Sequence, residues 1–86
     1  MALSITKLAE KARGELSKAT GLDFSSILGV GRENSSWKVT LEMVEKHSIP
    51  DQMDILGIYE VLLDEEGHLI EFNRRGLRKR MDIESV

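Results

Sequence analysis

The segment Trp37–Leu63, "WKVTLEMVEKHSIPDQMDILGIYEVLL", decides the fold because it holds two apolar arms on either side of the only proline, Pro50. Apolar and polar residues alternate through the first arm, which is the pattern of a half-buried strand. The polar cluster around Pro50 is typical of a turn. The segment therefore predicts an antiparallel hairpin.

The register of this hairpin follows from the alternation, because a slip of one residue would turn every apolar side chain to the other face. One pairing keeps apolar residues opposite one another: Trp37 with Leu63, Val39 with Val61, Leu41 with Tyr59, and Met43 with Gly57. Across the turn "DEEG" at 64–67, the same reasoning pairs Val61 with Ile70 and Tyr59 with Phe72. We name the face that carries these apolar residues the inner face, and its opposite the outer face. The predicted inner face consists of Trp37, Val39, Leu41, Met43, Tyr59, Val61, Leu63, Ile70 and Phe72.

An N-terminal helix is expected to cover the inner face. Apolar residues recur there every three or four positions, Ser4 can cap the start of the helix, and Gly21 can end it. The predicted class is α+β, with an N-terminal amphipathic helix packed on a four-stranded antiparallel β-meander. The strands are predicted at 25–32, 36–46, 54–64 and 68–75.

Gly76 is expected to break the fourth strand and to mark a boundary. Residues 1–75 are predicted to form a single α+β domain. Residues 76–86 are predicted to form a basic, then acidic, C-terminal tail that is partly mobile or folds into a short helix.

The composition narrows the class of protein. The 86-residue chain contains no Cys, so it offers neither a disulfide nor a thiolate metal site. No apolar run is long enough for a signal peptide or a membrane span, so we expect a cytoplasmic protein without membrane contact. The net charge is −3, yet five of the twelve basic residues lie within seven positions, between 74 and 80. The body is therefore acidic and the tail basic.

Three glutamates on the predicted outer face, Glu42, Glu60 and Glu71, raise the question of a metal site. Hard cations need several oxygen ligands in one shell, but the regular spacing of a calcium loop is missing from the sequence. His47 and Asp51 lie in the hairpin loop, where a polar turn explains them more simply than acid–base chemistry. We therefore predict no metal, cofactor or catalytic residue, and interpret the glutamates as a solvated or partner-facing acidic surface.

The predicted outer face also carries apolar residues that a single helix cannot cover. Either a partner docks on them, which we favour, or the tail after Gly76 folds back over them. The basic run can be a solvated surface, a nucleic-acid contact or a clamp on an acidic protein surface. The acidic body and the shortage of nearby stacking aromatics favour protein contact. The predicted partner-binding set is Val44, Leu56, Ile58, Leu62, Leu69, Glu42, Glu60, Glu71, Arg74, Arg75, Arg78, Lys79 and Arg80.

Residues 35–75 resemble the gas vesicle protein O family in the order and spacing of several short motifs. These motifs are a Trp-led strand rich in Val and Glu, an Ile-Pro-Asp loop, an Asp before a Tyr-Glu-Val strand, an acidic turn ending in Gly, and an Arg-rich finish. The matching residues are Trp37, Val39, Glu42, Val44, Glu45, Ile49, Pro50, Asp51, Asp54, Tyr59, Glu60, Val61, Asp64, Gly67, Arg74 and Arg75. The basic tail of the family usually interleaves a Tyr with its arginines, whereas this chain has Leu77.

The resemblance implies a small non-enzymatic accessory protein for gas vesicle assembly, cytoplasmic and associated with the vesicles. It implies other gas vesicle proteins as partners, among them the AAA+ ATPase of the same gene cluster, and leaves a homodimer open. The alternative function is that of a nucleic-acid-binding regulatory protein that uses the Arg/Lys-rich tail.

Overall fold

The computed structural model describes residues 4–81 and contains one helix packed on one antiparallel sheet. The sheet is a meander with the strand order β1-β2-β3-β4. This arrangement confirms the predicted α+β class. The elements are α1 (Ile5–Thr20), β1 (Asp23–Glu33), β2 (Ser36–Lys46), a short 3-10 helix (Asp51–Met53), β3 (Ile55–Leu63) and β4 (Leu69–Lys79).

Helix α1 begins and ends at the residues that the sequence predicts. The Ser4 hydroxyl accepts a hydrogen bond from the Lys7 backbone N–H, which satisfies one of the unpaired donors of the first turn. Gly21 adopts the left-handed backbone, with φ of 75°, and donates its N–H to the Ser17 carbonyl. Leu8, Ala12 and Leu16, spaced four residues apart, are fully buried against the inner face.

The core lies between α1 and the inner face of the sheet, and its buried sheet residues come from β2 and β3. Its sheet residues are Val39, Leu41, Met43, Tyr59, Val61 and Leu63, with Phe24, Ile27, Val30, Trp37, Leu69 and Phe72 packed around them. All four predicted pairs between β2 and β3 are observed, from Trp37–Leu63 to Met43–Gly57. The hairpin prediction is therefore confirmed residue by residue.

The predicted register between β3 and β4 is wrong by two residues. Val61 pairs with Phe72 rather than Ile70, and Tyr59 pairs with Arg74 rather than Phe72. The cause is a register shift near the turn, where Leu63 pairs with Leu69 and the next pair is Leu62–Glu71. Ile70 is the extra residue of this bulge, and its side chain is 54% exposed instead of lying in the core.

Leu69, which was predicted on the outer face, is also misplaced, because the turn brings it opposite Leu63. Leu69 packs against the buried core cluster on the inner face. The predicted placement of Leu69 is therefore wrong, because a one-residue shift exchanges the two faces of a strand.

The prediction that Gly76 breaks the last strand is also wrong. β4 continues to Lys79, with Gly76 opposite Ile58 and Leu77 opposite Gly57. Two backbone hydrogen bonds then tie the end of β4 to the hairpin loop, from the Arg80 N–H to the Asp54 carbonyl and from the Met81 N–H to the Gln52 carbonyl. The remainder of the predicted tail, 82–86, lies outside the described residues.

Candidate interaction surfaces

The apolar part of the outer face is smaller than the sequence predicts. Val44 and Leu56 lie on this face but are only 5% and 1% exposed. Ile58 and Leu62, further along β3, are half-buried. Since Leu69 packs on the other face, the apolar outer surface that a partner can reach is centred on Ile58 and Leu62.

Glu42, predicted to be a surface charge, is buried in an ion pair with Arg78. The Arg78 guanidinium donates two hydrogen bonds, from Nε to Glu42 Oε2 at 2.6 Å and from Nη2 to Oε1 at 3.0 Å. The Ser26 hydroxyl donates a third, at 3.2 Å. The hydrogen bonds from Arg78 lower the pKa of Glu42 below its ordinary value, outweighing the opposite effect of burial. The Glu42–Arg78 bridge therefore spans β3 and links β4 to β2.

The predicted pairs Val61–Ile70 and Tyr59–Phe72 would place Glu60 opposite Glu71, but this pair is not observed. The shift in register places Asn73 opposite Glu60, while Glu71 lies opposite Leu62. Glu60 has an Arg75 nitrogen at 3.9 Å, and Glu71 is exposed. The three predicted glutamates are therefore in three different environments: buried, half-buried with a cation, and solvated.

The arginines of the basic run are each close to a carboxylate. Besides the Arg75 and Arg78 pairs, Arg74 lies 3.7 Å from Glu45 and Arg80 lies 3.2 Å from Asp54. Lys79, between them, is exposed on β4. These pairings offset much of the positive charge that a phosphate backbone would need, so they weigh against nucleic-acid recognition by this run.

Asp54 accepts hydrogen bonds that hold the hairpin loop, which was predicted to be a polar turn. Its carboxylate is almost fully buried and accepts a hydrogen bond from the Ser48 backbone N–H at 2.7 Å, in addition to the Arg80 contact. The Ser48 N–H is the main cause that lowers the pKa of Asp54. His47 lies at the edge of this loop, with Nε2 2.8 Å from an Asp23 carboxylate oxygen. The loop is thus tied both to the start of β1 and to the end of β4.

A polar network that the sequence reasoning missed lies on the inner face. The Tyr59 hydroxyl donates to Glu45 Oε2 at 2.5 Å, and Arg74 approaches the other oxygen of the same carboxylate. Burial, followed by the hydrogen bond to Glu45, raises the pKa of Tyr59 to about 12. The signal was present in the sequence, since the alternation places both Glu45 and Tyr59 on the predicted inner face. Gly57, which has no side chain, leaves the space that the Glu45 carboxylate occupies.

A cluster of three metal-binding types of side chain occurs in the β3–β4 turn. Ligand atoms of Asp64, Glu66 and His68 lie within 4.8 Å of one another. The Asp64 carboxylate accepts hydrogen bonds from the backbone N–H groups of Glu66 and His68, and the latter is the main cause that lowers the pKa of Asp64. Capping of a tight turn accounts for this cluster without an ion.

A groove between α1 and β1 has a volume of about 400 Å³. Ile5 and Ala9 of the helix form one wall, and Phe24, Ile27 and Val30 of the strand form the other. Glu10 and Arg13 lie on the helix side, and the Arg13 guanidinium stacks on the Phe24 ring at 4.6 Å. The groove could not be predicted from the sequence, because the amphipathic pattern of α1 shows that the helix covers the sheet but not where it lies across the strands.

Together these features define a small helix-on-sheet protein whose accessible features are apolar surfaces bordered by charge. Along 4–81, no helix is long and apolar enough to cross a membrane. No solved structure matches the chain.

The chain belongs to the family described as Gas vesicle synthesis protein GvpO, whose sequence profile matches residues 1–84. It is 33% identical over 63 residues to Gas vesicle protein O of a Streptomyces species, covering 73% of this chain and 49% of that protein. It is 33% identical over 72 residues to Gas vesicle protein O of Haloferax mediterranei, covering 77% of this chain and 51% of that protein. It is 34% identical over 58 residues to Gas vesicle protein O1 of Halobacterium salinarum, covering 62% and 49%. The chain thus spans about half the length of the curated relatives it matches.

Proposed function

We propose that this protein is a cytoplasmic, non-enzymatic accessory protein for gas vesicle assembly that binds other gas vesicle proteins through its outer face and basic C-terminal segment. Membership in the gas vesicle synthesis family supports the process. The AAA+ ATPase of the same gene cluster is the partner that we would test first. A second copy of this chain is the other partner to examine.

The observation that carries the surface assignment is the half-buried pair Ile58 and Leu62 on a sheet face that α1 does not cover. Partial exposure leaves apolar area, and its removal from water by a bound partner would stabilise the complex. Charged groups border the pair, since Glu71 is exposed and the side chain of Arg75 is 62% exposed. Apolar area at the centre with charge at the rim is the usual plan of a protein interface.

The test is a capture experiment with the tagged protein and coexpressed gas vesicle proteins. Ile58→Lys introduces a charge at the centre of the outer surface, so we expect at least about a tenfold loss of captured partner, as for the loss of one central contact. Circular dichroism should show an unchanged fold. Ile49→Lys is the matched control, because it makes the same substitution at an apolar residue that is 100% exposed and lies in the hairpin loop rather than on the outer face.

Two results would overturn the proposal. One is that the folded Ile58→Lys protein captures its partner as well as the wild type does. The other is that the bound material is nucleic acid, released steeply with rising salt and insensitive to Ile58→Lys.

A further inference from the structure

The two edges of the sheet differ in charge. Within the described chain, β1 pairs only with β2 and β4 only with β3, so each leaves one row of backbone groups unpaired within the sheet. β4 carries Arg74, Arg75, Arg78 and Lys79, and charged residues on an edge strand discourage further pairing. By contrast, residues 24–31 of β1, "FSSILGVG", contain no charge, and Leu28 is 50% exposed. The edge that lacks this protection is β1.

The groove between α1 and β1 runs along the same edge. Phe24, Ile27 and Val30 point to the inner face, because they pair with or lie opposite the core residues Met43, Leu41 and Val39. On the helix wall, Ile5, Ala9 and Arg13 follow one another at four-residue spacing, which corresponds to about 6 Å along the axis. Alternate side chains of an extended strand are about 6.6 Å apart, so their spacing is close to that of the groove wall.

We propose that the free edge of β1 binds an extended, uncharged segment of a partner protein that adds to the sheet as a fifth strand. The backbone of this segment pairs with β1, and its alternate aliphatic side chains enter the α1–β1 groove. Such strand addition obtains affinity from main-chain hydrogen bonds and specificity from side-chain pockets. The groove contributes one charge of each sign, Glu10 and Arg13, and the Arg13 guanidinium is already stacked on Phe24, which favours a neutral segment.

Two irregularities of β1 restrict what can bind. Its register with β2 shifts between Phe24 and Ser26 and again between Ile27 and Gly29. Bulges bend a strand and interrupt its regular row of hydrogen-bonding groups. A segment must therefore match this shape, and the irregularities oppose indiscriminate pairing with other edges. This surface lies on the other side of the sheet from Ile58, so its test does not depend on the proposed function.

The probe is a short peptide of alternating threonine and valine that is N-methylated along one edge, so that it has a single edge for pairing and cannot form extended sheets. The same peptide methylated along both edges is the control. Backbone amide exchange of the protein is measured by NMR with each peptide. We expect the first peptide to slow the exchange of the outward-facing backbone amides of β1 and to change the NMR chemical shifts of Ile5 and Ala9. The second peptide should do neither.

Two substitutions test whether the peptide binds in the α1–β1 groove. Ile5→Glu places a carboxylate on the helix wall of the groove, at a residue that is 62% exposed. It should weaken binding of the peptide at least about tenfold, a loss of about 1.4 kcal/mol. Ile58→Lys, on the outer face, should leave the affinity unchanged.

Three results would overturn the inference. They are protection of β4 instead of β1, equal binding of the doubly methylated peptide, and no binding of either peptide. Concentration-dependent protection of β1 without any peptide would overturn it as well, in favour of pairing between two copies of this chain.

Discussion

Gly57 occupies a place on the inner face where a side chain cannot be added without displacing a neighbour. The Glu45 carboxylate and its adjoining carbons lie where a Cβ on this residue would be. From that position Glu45 accepts the hydrogen bond of the buried Tyr59 hydroxyl. A buried hydroxyl that loses its partner carries the full cost of its desolvation. The absence of a side chain at Gly57 therefore makes room for the hydrogen bond between Tyr59 and Glu45.

Gly57→Ala should lower the free energy of unfolding by about 1–2 kcal/mol, because Glu45 must leave Tyr59 unpaired. Urea denaturation measures the loss. Gly76→Ala is the matched control, since Gly76 also lies in a strand and a Cβ there meets no atom within 4 Å. That change should leave stability unaltered or raise it slightly, because alanine restricts the unfolded chain. Equal losses for both substitutions would contradict the role assigned to Glu45.

The strands differ in how far their sequence predicts them. The register of β2 with β3 followed correctly from alternation, since both arms carry apolar residues at every second position. The predicted register of β4 with β3 was wrong because Leu69 and Ile70 are both apolar, and alternation cannot tell which of two adjacent residues forms a bulge. The error exchanged their faces and placed Glu71 opposite Glu60. Alternation likewise could not show that Val44 and Leu56 are buried, because their burial depends on three-dimensional packing.

Strand β4 is held by the ion pair between Arg78 and Glu42, which no local sequence pattern predicts. Arg78→Ala should lower the free energy of unfolding by about 3 kcal/mol, because it leaves Glu42 buried without its cation. Chemical denaturation at neutral pH provides the measurement. Arg75→Ala removes an arginine from the same strand, but its pair with Glu60 is 3.9 Å long and largely exposed, so the loss should stay below about 1 kcal/mol.

The contrast between the two arginines is the decisive comparison. If Arg75→Ala and Arg78→Ala were equally destabilising, the Glu42–Arg78 bridge would not be the contact that links β4 to β2. A further check uses Glu42→Gln, which removes the buried charge. Added to Arg78→Ala, it should recover part of the lost stability, because an uncharged amide is less costly to bury than an unpaired carboxylate.

At the scale of the whole molecule, three carboxylates in separate regions have a lowered pKa. Glu42 lies on the outer face, Asp54 in the hairpin loop and Asp64 in the β3–β4 turn. Arg78 is the main cause for Glu42, and backbone N–H groups are the main cause for Asp54 and Asp64. Although the net charge of −3 suggests a molecule with repelling acids, these particular acids stabilise the folded state in their ionised form.

The pH dependence of stability follows from the direction of these shifts. A carboxyl whose pKa is lower in the folded than in the unfolded chain stabilises the fold above its unfolded value, here 4.5 for Glu42 and 3.8 for Asp54 and Asp64. This contribution is lost as the pH falls through the folded values. We therefore expect the urea midpoint to stay constant from neutral pH to about pH 5 and to decrease below about pH 5. Asp54→Asn should flatten this decrease, since the amide oxygen can still accept from Ser48 but no longer titrates. Asp51→Asn, at an exposed acid in the same loop, should follow the wild-type curve, and identical curves for all three proteins would show that Asp54 does not contribute to the acid sensitivity.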